Sequence, residues 1–254
     1  MHEVATRQLM ELIEVGHNRS SIDQAQLLLA WGYPEKEWSE LAHVPIGQRD
    51  AMLLMLRAKW FGSDIRLGCR CPKCNASFEF ETSVEELCSV IPDEADCQNS
   101  CIVSRYGKEY EIRPINGRDL AGLPRDCPKD VAVRFLARQT ILSVRNSSGD
   151  ALPIPDPDKL KDALLLQIGN ALEKQDPLSV IAFPVACADC GHDWEALFEP
   201  VRLLWDELGN ENDALLEDIH LLAKEYGWRE NDILSISARR RRVYAQRLLE
   251  QANG

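Results

Sequence analysis

The chain has 254 residues, 45% of them hydrophobic and 28% charged, with a formal net charge of −12. That length can bury one good core or two small ones, the composition is that of a globular protein, and no run nears the roughly 18 apolar residues of a membrane span. The acidic balance argues against a nucleic-acid partner, whose affinity comes chiefly from cations neutralising phosphate.

Residues 1–63 read as helical. Ser21-Ile22-Asp23-Gln24 has the pattern of a capping box leading into an apolar run that stops at Gly32. Pro34 is placed to open a short helix with Trp38 and Leu41. A longer helix is predicted from about Gly47 to Phe61, with Met52, Leu53, Leu56 and Trp60 on one face and Gly62 as its stop. The period then changes to alternation at Ile65–Leu67 and Ser77–Thr82, as in two hairpin arms. Residues 91–179 form a mixed insertion, with a hairpin at 102–112 turning at Tyr106-Gly107-Lys108 and helices near 117–123, 129–138 and 158–174. From 205 to 254 the chain is helical again, with Leu208, Leu215, Leu216, Ile219 and Leu222 in helical period up to Gly227 and Ser237 as the cap of a last helix.

The chemistry lies in two Cys-x-x-Cys steps, Cys71-Pro-Lys-Cys74 and Cys187-Ala-Asp-Cys190, each followed by a small residue and then an aromatic, Phe78 or Trp194. Four thiolates at this spacing fit a closed structural zinc site, Zn2+ being held by Cys71, Cys74, Cys187 and Cys190. The polar amino terminus, Met1-His2-Glu3-Val4, carries no signal-peptide core and implies a reducing cytoplasm, where nine cysteines favour metal ligation over disulfides. Cys69, two positions before Cys71, is a competing ligand. Cys88, Cys97, Cys101 and Cys127 lack the spacing and read as structural or incidental.

The expected fold is α+β. Helical N- and C-terminal segments surround a small zinc-ribbon-like β unit (64–90 plus 180–204), whose knuckles are separated by the mixed insertion. The shared pattern of the two knuckles hints at an internal duplication, and Trp31-Gly32-Tyr33 weakly echoes Tyr226-Gly227-Trp228. Around the knuckles acids outnumber bases, which is a poor grip for phosphate and weakens the alternative of a zinc-ribbon nucleic-acid-binding regulator.

Other catalytic readings fare no better. A thiol oxidoreductase needs its reactive cysteine at a helix amino terminus, whereas Cys74 runs into a strand pattern. His192 and Glu195 could belong to a catalytic zinc, but four cysteines leave no open position, so His192 reads as a solvated turn residue. No nucleophile-elbow, P-loop or dinucleotide fingerprint is present, and the expectation is a non-enzyme. Arg239-Arg240-Arg241-Arg242 would wrap around a helix rather than form one patch. The run reads either as solvated arginines beside Glu230 and Asp232 or as part of a docking helix, with Trp228, Arg239, Arg240 and Tyr244 as candidate partner contacts.

A set of longer patterns is similar to the T4-type baseplate and hub-assembly proteins of contractile phage tails and phage-tail-like injection systems. It comprises Gly47-Gln-Arg49-Asp50 to Phe61-Gly62, the first Cys-Pro-x-Cys, Arg113-Pro114 leading into Asp119-Leu120, Gln175-Asp176-Pro177 before the second knuckle, and Leu204-Trp205-Asp206-Glu207-Leu208 after it. The most specific stretch is Ala223-Lys-Glu-Tyr226-Gly227-Trp228-x-Glu230-x-x-Ile233-Leu234-x-x-Ser237-x-Arg239-Arg240-x-x-x-Tyr244. The resemblance spans about Arg49 to Leu249, with Asn75 departing from a usual glycine. It implies a non-enzymatic component or assembly factor made in the bacterial cytoplasm and partnered by baseplate hub, spike or tail-tube proteins, in which it can remain incorporated.

Overall fold

In the computed structural model, residues 6–90, 100–124 and 126–252 are described; Met1-His2-Glu3-Val4 and Cys97 lie outside them. Among the described residues the protein is a mixed α+β chain with eleven α-helices and small antiparallel sheets.

Four helices come first: α1 (Thr6–Gly16), α2 (Ser21–Gly32), α3 (Trp38–Ala42) and α4 (Ile46–Phe61). Ser20 rather than Ser21 caps α2, its hydroxyl accepting from the Asp23 N–H at 3.2 Å. Pro34 does not open α3. Lys36 N–H closes a turn back to the Tyr33 carbonyl, and the helix starts only at Trp38. Helix α4 ends at Gly62, whose φ of 93° lies in the region glycine tolerates best.

The first knuckle hairpin follows as β1 (Asp64–Arg70) and β2 (Ser77–Ser83), with a one-turn helix α5 (Val84–Cys88). Strands β3 (Cys101–Arg105) and β4 (Lys108–Ile112) turn at Tyr106 and Gly107, both at positive φ, as a two-residue primed hairpin turn demands. After α6 (Gly117–Ala121) and α7 (Lys129–Thr140), strands β5 (Ile141–Asn146) and β6 (Ala151–Leu152) extend this hairpin into a four-stranded sheet ordered β3-β4-β5-β6. These two strands are absent from the sequence reading. Helix α8 (Asp162–Gln175) begins later than expected because residues 157–159 form a single 3₁₀ turn. It packs Leu164 and Ile168 on Val103, Tyr110, Ile112 and Val144 of the sheet.

The second hairpin, β7 (Ile181–Ala186) and β8 (Asp193–Phe198), leads into α9 (Pro200–Tyr226). Proline at the first position of α9 is pre-shaped for a helix start. The helix runs unbroken through residue 205, where the sequence pattern places a segment boundary. Helices α10 (Glu230–Ser235) and α11 (Ala238–Ala252) finish the chain, and the Arg240 N–H lies 3.4 Å from the Ser237 hydroxyl, as a capping serine predicts.

Helix α9 organises the core. Its Leu204 and Leu208 sit among Leu28, Leu29, Leu53 and Leu56, all 3% exposed or less. Farther along, Leu215, Ile219 and Leu222 pack with Ile233, Trp228 and Tyr244. A third apolar cluster joins α4 to both hairpins through Ala51, Leu54, Ile65, Val84 and Ile181.

Polar ties link the same parts. Arg57 of α4 donates from Nη2 to Glu207 of α9 at 2.8 Å, and from Nη1 to the Gly62 and Asp64 carbonyls at 2.7 Å each. Asp176, at the end of α8, caps α4 by accepting the Gly47 N–H at 2.8 Å, so a buried helix start is satisfied from a distant part of the chain. Gly47 permits this approach, because a Cβ there would stand 2.2 Å from Asp176 Oδ1.

Candidate metal centre

Each knuckle begins where a strand gives way to a tight turn. In the first, Cys71 N–H bonds the Ala76 carbonyl and Asn75 N–H bonds the Cys71 carbonyl, both at 2.9 Å. In the second, Cys187 N–H bonds the His192 carbonyl and Gly191 N–H bonds the Cys187 carbonyl, again both at 2.9 Å. The residue after the second cysteine has φ of 64° in each case, Asn75 in one and Gly191 in the other. Asparagine is among the few residues besides glycine that enter this region readily, so the departure at Asn75 leaves the turn intact.

The two hairpins also share a register. Cys69 faces Phe78 across the first, and Val185 faces Trp194 across the second; Ile65 faces Thr82 as Ile181 faces Phe198. One constant offset in numbering maps each pair onto its counterpart. The weak sequence duplication is therefore a repeated backbone unit. The Trp31-Gly32-Tyr33 echo is not: α2 ends on Tyr33 at φ −130°, whereas α9 ends on Gly227 at φ 64°.

The hairpins meet through their cysteines. Cys71 Sγ lies 3.7 Å from Cys190 Sγ, and Cys74 Sγ lies 3.5 Å from Cys187 Sγ. All four sulfurs fall within 4.8 Å of one another. A tetrahedral ion with metal–sulfur bonds of about 2.3 Å requires sulfur–sulfur edges of about 3.8 Å, so the four cysteines could hold a single metal ion. Cys69 stays outside this group and instead borders a shallow cleft with Phe80, Phe183 and Phe198.

Ionisation differs between Cys71 and Cys190. Burial opposes it at Cys71, but backbone N–H groups of Cys74 and Lys73 and the neighbouring thiols outweigh burial and draw the thiol down to about 7. At Cys190 the His192 N–H favours the thiolate, yet burial and the other three cysteines prevail and push it up to about 12. Four thiolates this close repel strongly, and a divalent cation is what would let all four ionise together. Cys71 and Cys187 are buried, while Cys74 is exposed at one edge. Beyond Cys74 the chain enters β2 rather than a helix.

Aromatic contacts flank the sulfurs. Phe78 and Trp194, the paired aromatics of the two knuckles, have ring centroids 6.1 Å apart. His192 is half-buried and stacked on Trp194 at an interplanar angle of 9°, rather than solvated as its turn position implied.

At the other end of the sequence, Trp228 and Tyr244 pack edge to face at 5.5 Å, and Tyr226 stacks on Trp228 at 5.0 Å. Trp228 and Tyr244 are half-buried members of the α9–α11 core, whereas Tyr226 is exposed. Arg239 and Arg240 are exposed on α11. The arginine run pairs with α9 rather than with Glu230 or Asp232: Arg242 meets Glu211 at 2.8 Å and Arg241 lies 3.6 Å from Asp218. Arg241, only 4% exposed, is the residue that sequence reasoning passed over. Its signal was its helical spacing to Ala245 and Leu248, the inward face of α11.

No known protein family, curated protein or solved structure matches the chain. Among the described residues no helix is long and apolar enough to cross a membrane.

Proposed function

We propose that the cysteine cluster is a structural zinc site of the ribbon type, and that the chain is a non-enzymatic baseplate or hub component, or a hub-assembly factor, of a contractile tail or phage-tail-like injection system. Thiolates at tetrahedral spacing suit zinc, and four of them complete its shell, leaving no position for substrate. The function reading rests on the resemblance described above. One observation carries it further: residues of that resemblance tie parts of the chain to one another, in two cases across more than a hundred positions. Asp176 of the Gln-Asp-Pro motif caps the helix of the Gly-x-Arg-Asp motif. Glu207 of the Leu-Trp-Asp-Glu-Leu motif holds Arg57. Arg113 and Asp119 form a two-bond ion pair at 2.7 and 2.9 Å. Trp228 and Tyr244 close on each other. Such use of motif residues fits a component that presents preformed surfaces to several partners, with the metal clasp supplying rigidity.

The test is quantitative mass spectrometry of sheathed contractile particles from a bacterium carrying the gene. The expected result is recovery of the chain at a fixed low ratio to hub proteins. Absence from finished particles, with particle yield falling when the gene is deleted, would assign the assembly-factor role. Unchanged particle yield without the gene, together with absence from particles, would overturn the reading.

A further inference from the structure

A cavity of about 600 Å³ opens between the start of α1, the end of α4, the middle of α9 and the corner joining α10 to α11. Trp60, Phe61, Leu208, Leu215 and Leu234 supply its apolar lining. This volume lies within the range of small-ligand sites. Three arginines also line it, and two of them are satisfied: Arg7 donates to Asn231 at 2.7 Å and Arg242 to Glu211 at 2.8 Å.

The third is different. The Arg241 side chain is only 5% exposed, and its Nε and Nη1 are buried without a hydrogen-bond partner. Asp218 stands 3.6 Å from Nε, close enough for attraction but too far for a hydrogen bond. Burial lowers the Arg241 pKa and raises that of Asp218, each partly offset by the other's charge. A guanidinium desolvated in this way lacks an acceptor that a hydrogen-bonded site would provide. Glu211 pairs with Arg242 and Asp218 stands beside Arg241, so the arginines lining the cavity outnumber its carboxylates by one, the exposed Arg7.

We propose that this cavity binds an apolar monocarboxylate, with the hydrocarbon or aromatic part against Trp60, Phe61 and Leu215 and the carboxylate set against the Arg241 guanidinium. The carboxylate can come from a free amphiphile or from the carboxy terminus of a peptide, since both present the same chemistry. The assignment stands apart from the particle reading and is tested on the isolated, metal-loaded protein.

Calorimetric titration with N-acetyl-Leu-Phe, its methyl ester, decanoate and methyl decanoate decides it. At least one acid is expected to bind at least tenfold tighter than its ester. Binding by the peptide acid alone would identify a chain terminus as the source, and binding by decanoate alone a free amphiphile. Arg241→Gln is expected to erase the preference for acid over ester. Because that variant changes a buried residue, Ala214→Trp serves as a second one: Ala214 is exposed at the rim, and a tryptophan there is expected to weaken acid and ester alike at least tenfold. Equal affinity for acid and ester, or binding by neither acid, would overturn the proposal. So would a tenfold gain in affinity on removing residues 1–5, which would assign the cavity to the chain's own first residues.

Discussion

Asp50 offers the sharpest quantitative test of the core. It lies on α4, 7% exposed, with Arg49 Nε at 2.7 Å from its Oδ1. Burial raises its carboxyl from 3.8 to about 6, and the nearby charges of Asp176 and Glu199 add to this against the pull of Arg49. Because the folded value lies above the unfolded one, the protonated carboxyl favours folding. That contribution is fully present below about pH 3.8 and is lost as pH rises through about 6. The gap between the two values, at 1.36 kcal/mol per pH unit, is worth about 3 kcal/mol. Asp50→Asn keeps the shape and removes the titration. Urea unfolding of metal-saturated wild type and variant, from pH 4.5 to 7.5, is expected to show the variant gaining about 2 kcal/mol on the wild type as pH rises. Metal release at the acidic end affects both proteins and cancels in the difference. Parallel stability curves would show that Asp50 ionises as an ordinary carboxylate. A variant that loses ground with rising pH would show that the Arg49 pair outweighs burial.

Two further predictions concern the ties between segments. Cys69→Ser is expected to keep one zinc per chain by elemental analysis and to melt normally. Cys71→Ser and Cys187→Ser are expected to lose the metal and at least about 3 kcal/mol of stability; retention of full zinc by Cys71→Ser together with its loss by Cys69→Ser would exchange the two ligands. Arg57→Met removes a side chain 7% exposed and leaves Glu207 and two carbonyls without their donor, a loss expected to be about 3–5 kcal/mol by urea unfolding. Adding Glu207→Met is expected to recover part of that loss, and a single-variant cost below about 1 kcal/mol would mean that the ion pair contributes little.

What the sequence made legible was local. The two knuckles, the Tyr106-Gly107 turn and the Gly62 and Gly227 stops each depend on a few consecutive residues with distinctive backbone needs, and each lies where its pattern puts it. Strand β5 escaped notice because Ile141 follows Thr140 of α7 with no glycine or proline between them, and because Leu142 lies 47% exposed, which blurs the alternation. The start of α2 was misread by one residue because consecutive serines offer two caps and only geometry selects Ser20. Arg241 was hidden inside a run of four arginines, where composition implies solvent although helical phase places one of them inward. The choice of Asp176 to cap α4, and of Glu207 to hold Arg57, has no local signature at all, since it depends on which distant segments meet.

That last class of contact explains how the metal centre can close. A two-stranded hairpin is marginal alone, and each knuckle supplies only half of the sulfurs. Cys71 and Cys190 are 119 positions apart, so bringing the knuckles together carries the closure cost of a long loop. The contact between Gly47 and Asp176 spans 129 positions and closes nearly the same loop from outside. With that contact in place, the path still free between the knuckles shortens to roughly 35 residues, which reduces the entropic cost of assembling the sulfurs by about 1 kcal/mol. Helix cap and cysteine cluster therefore reinforce each other. The buried aspartate brings β7 back to the α4–β1 region, and an ion held by the four cysteines would join two hairpins of like register and fix them there.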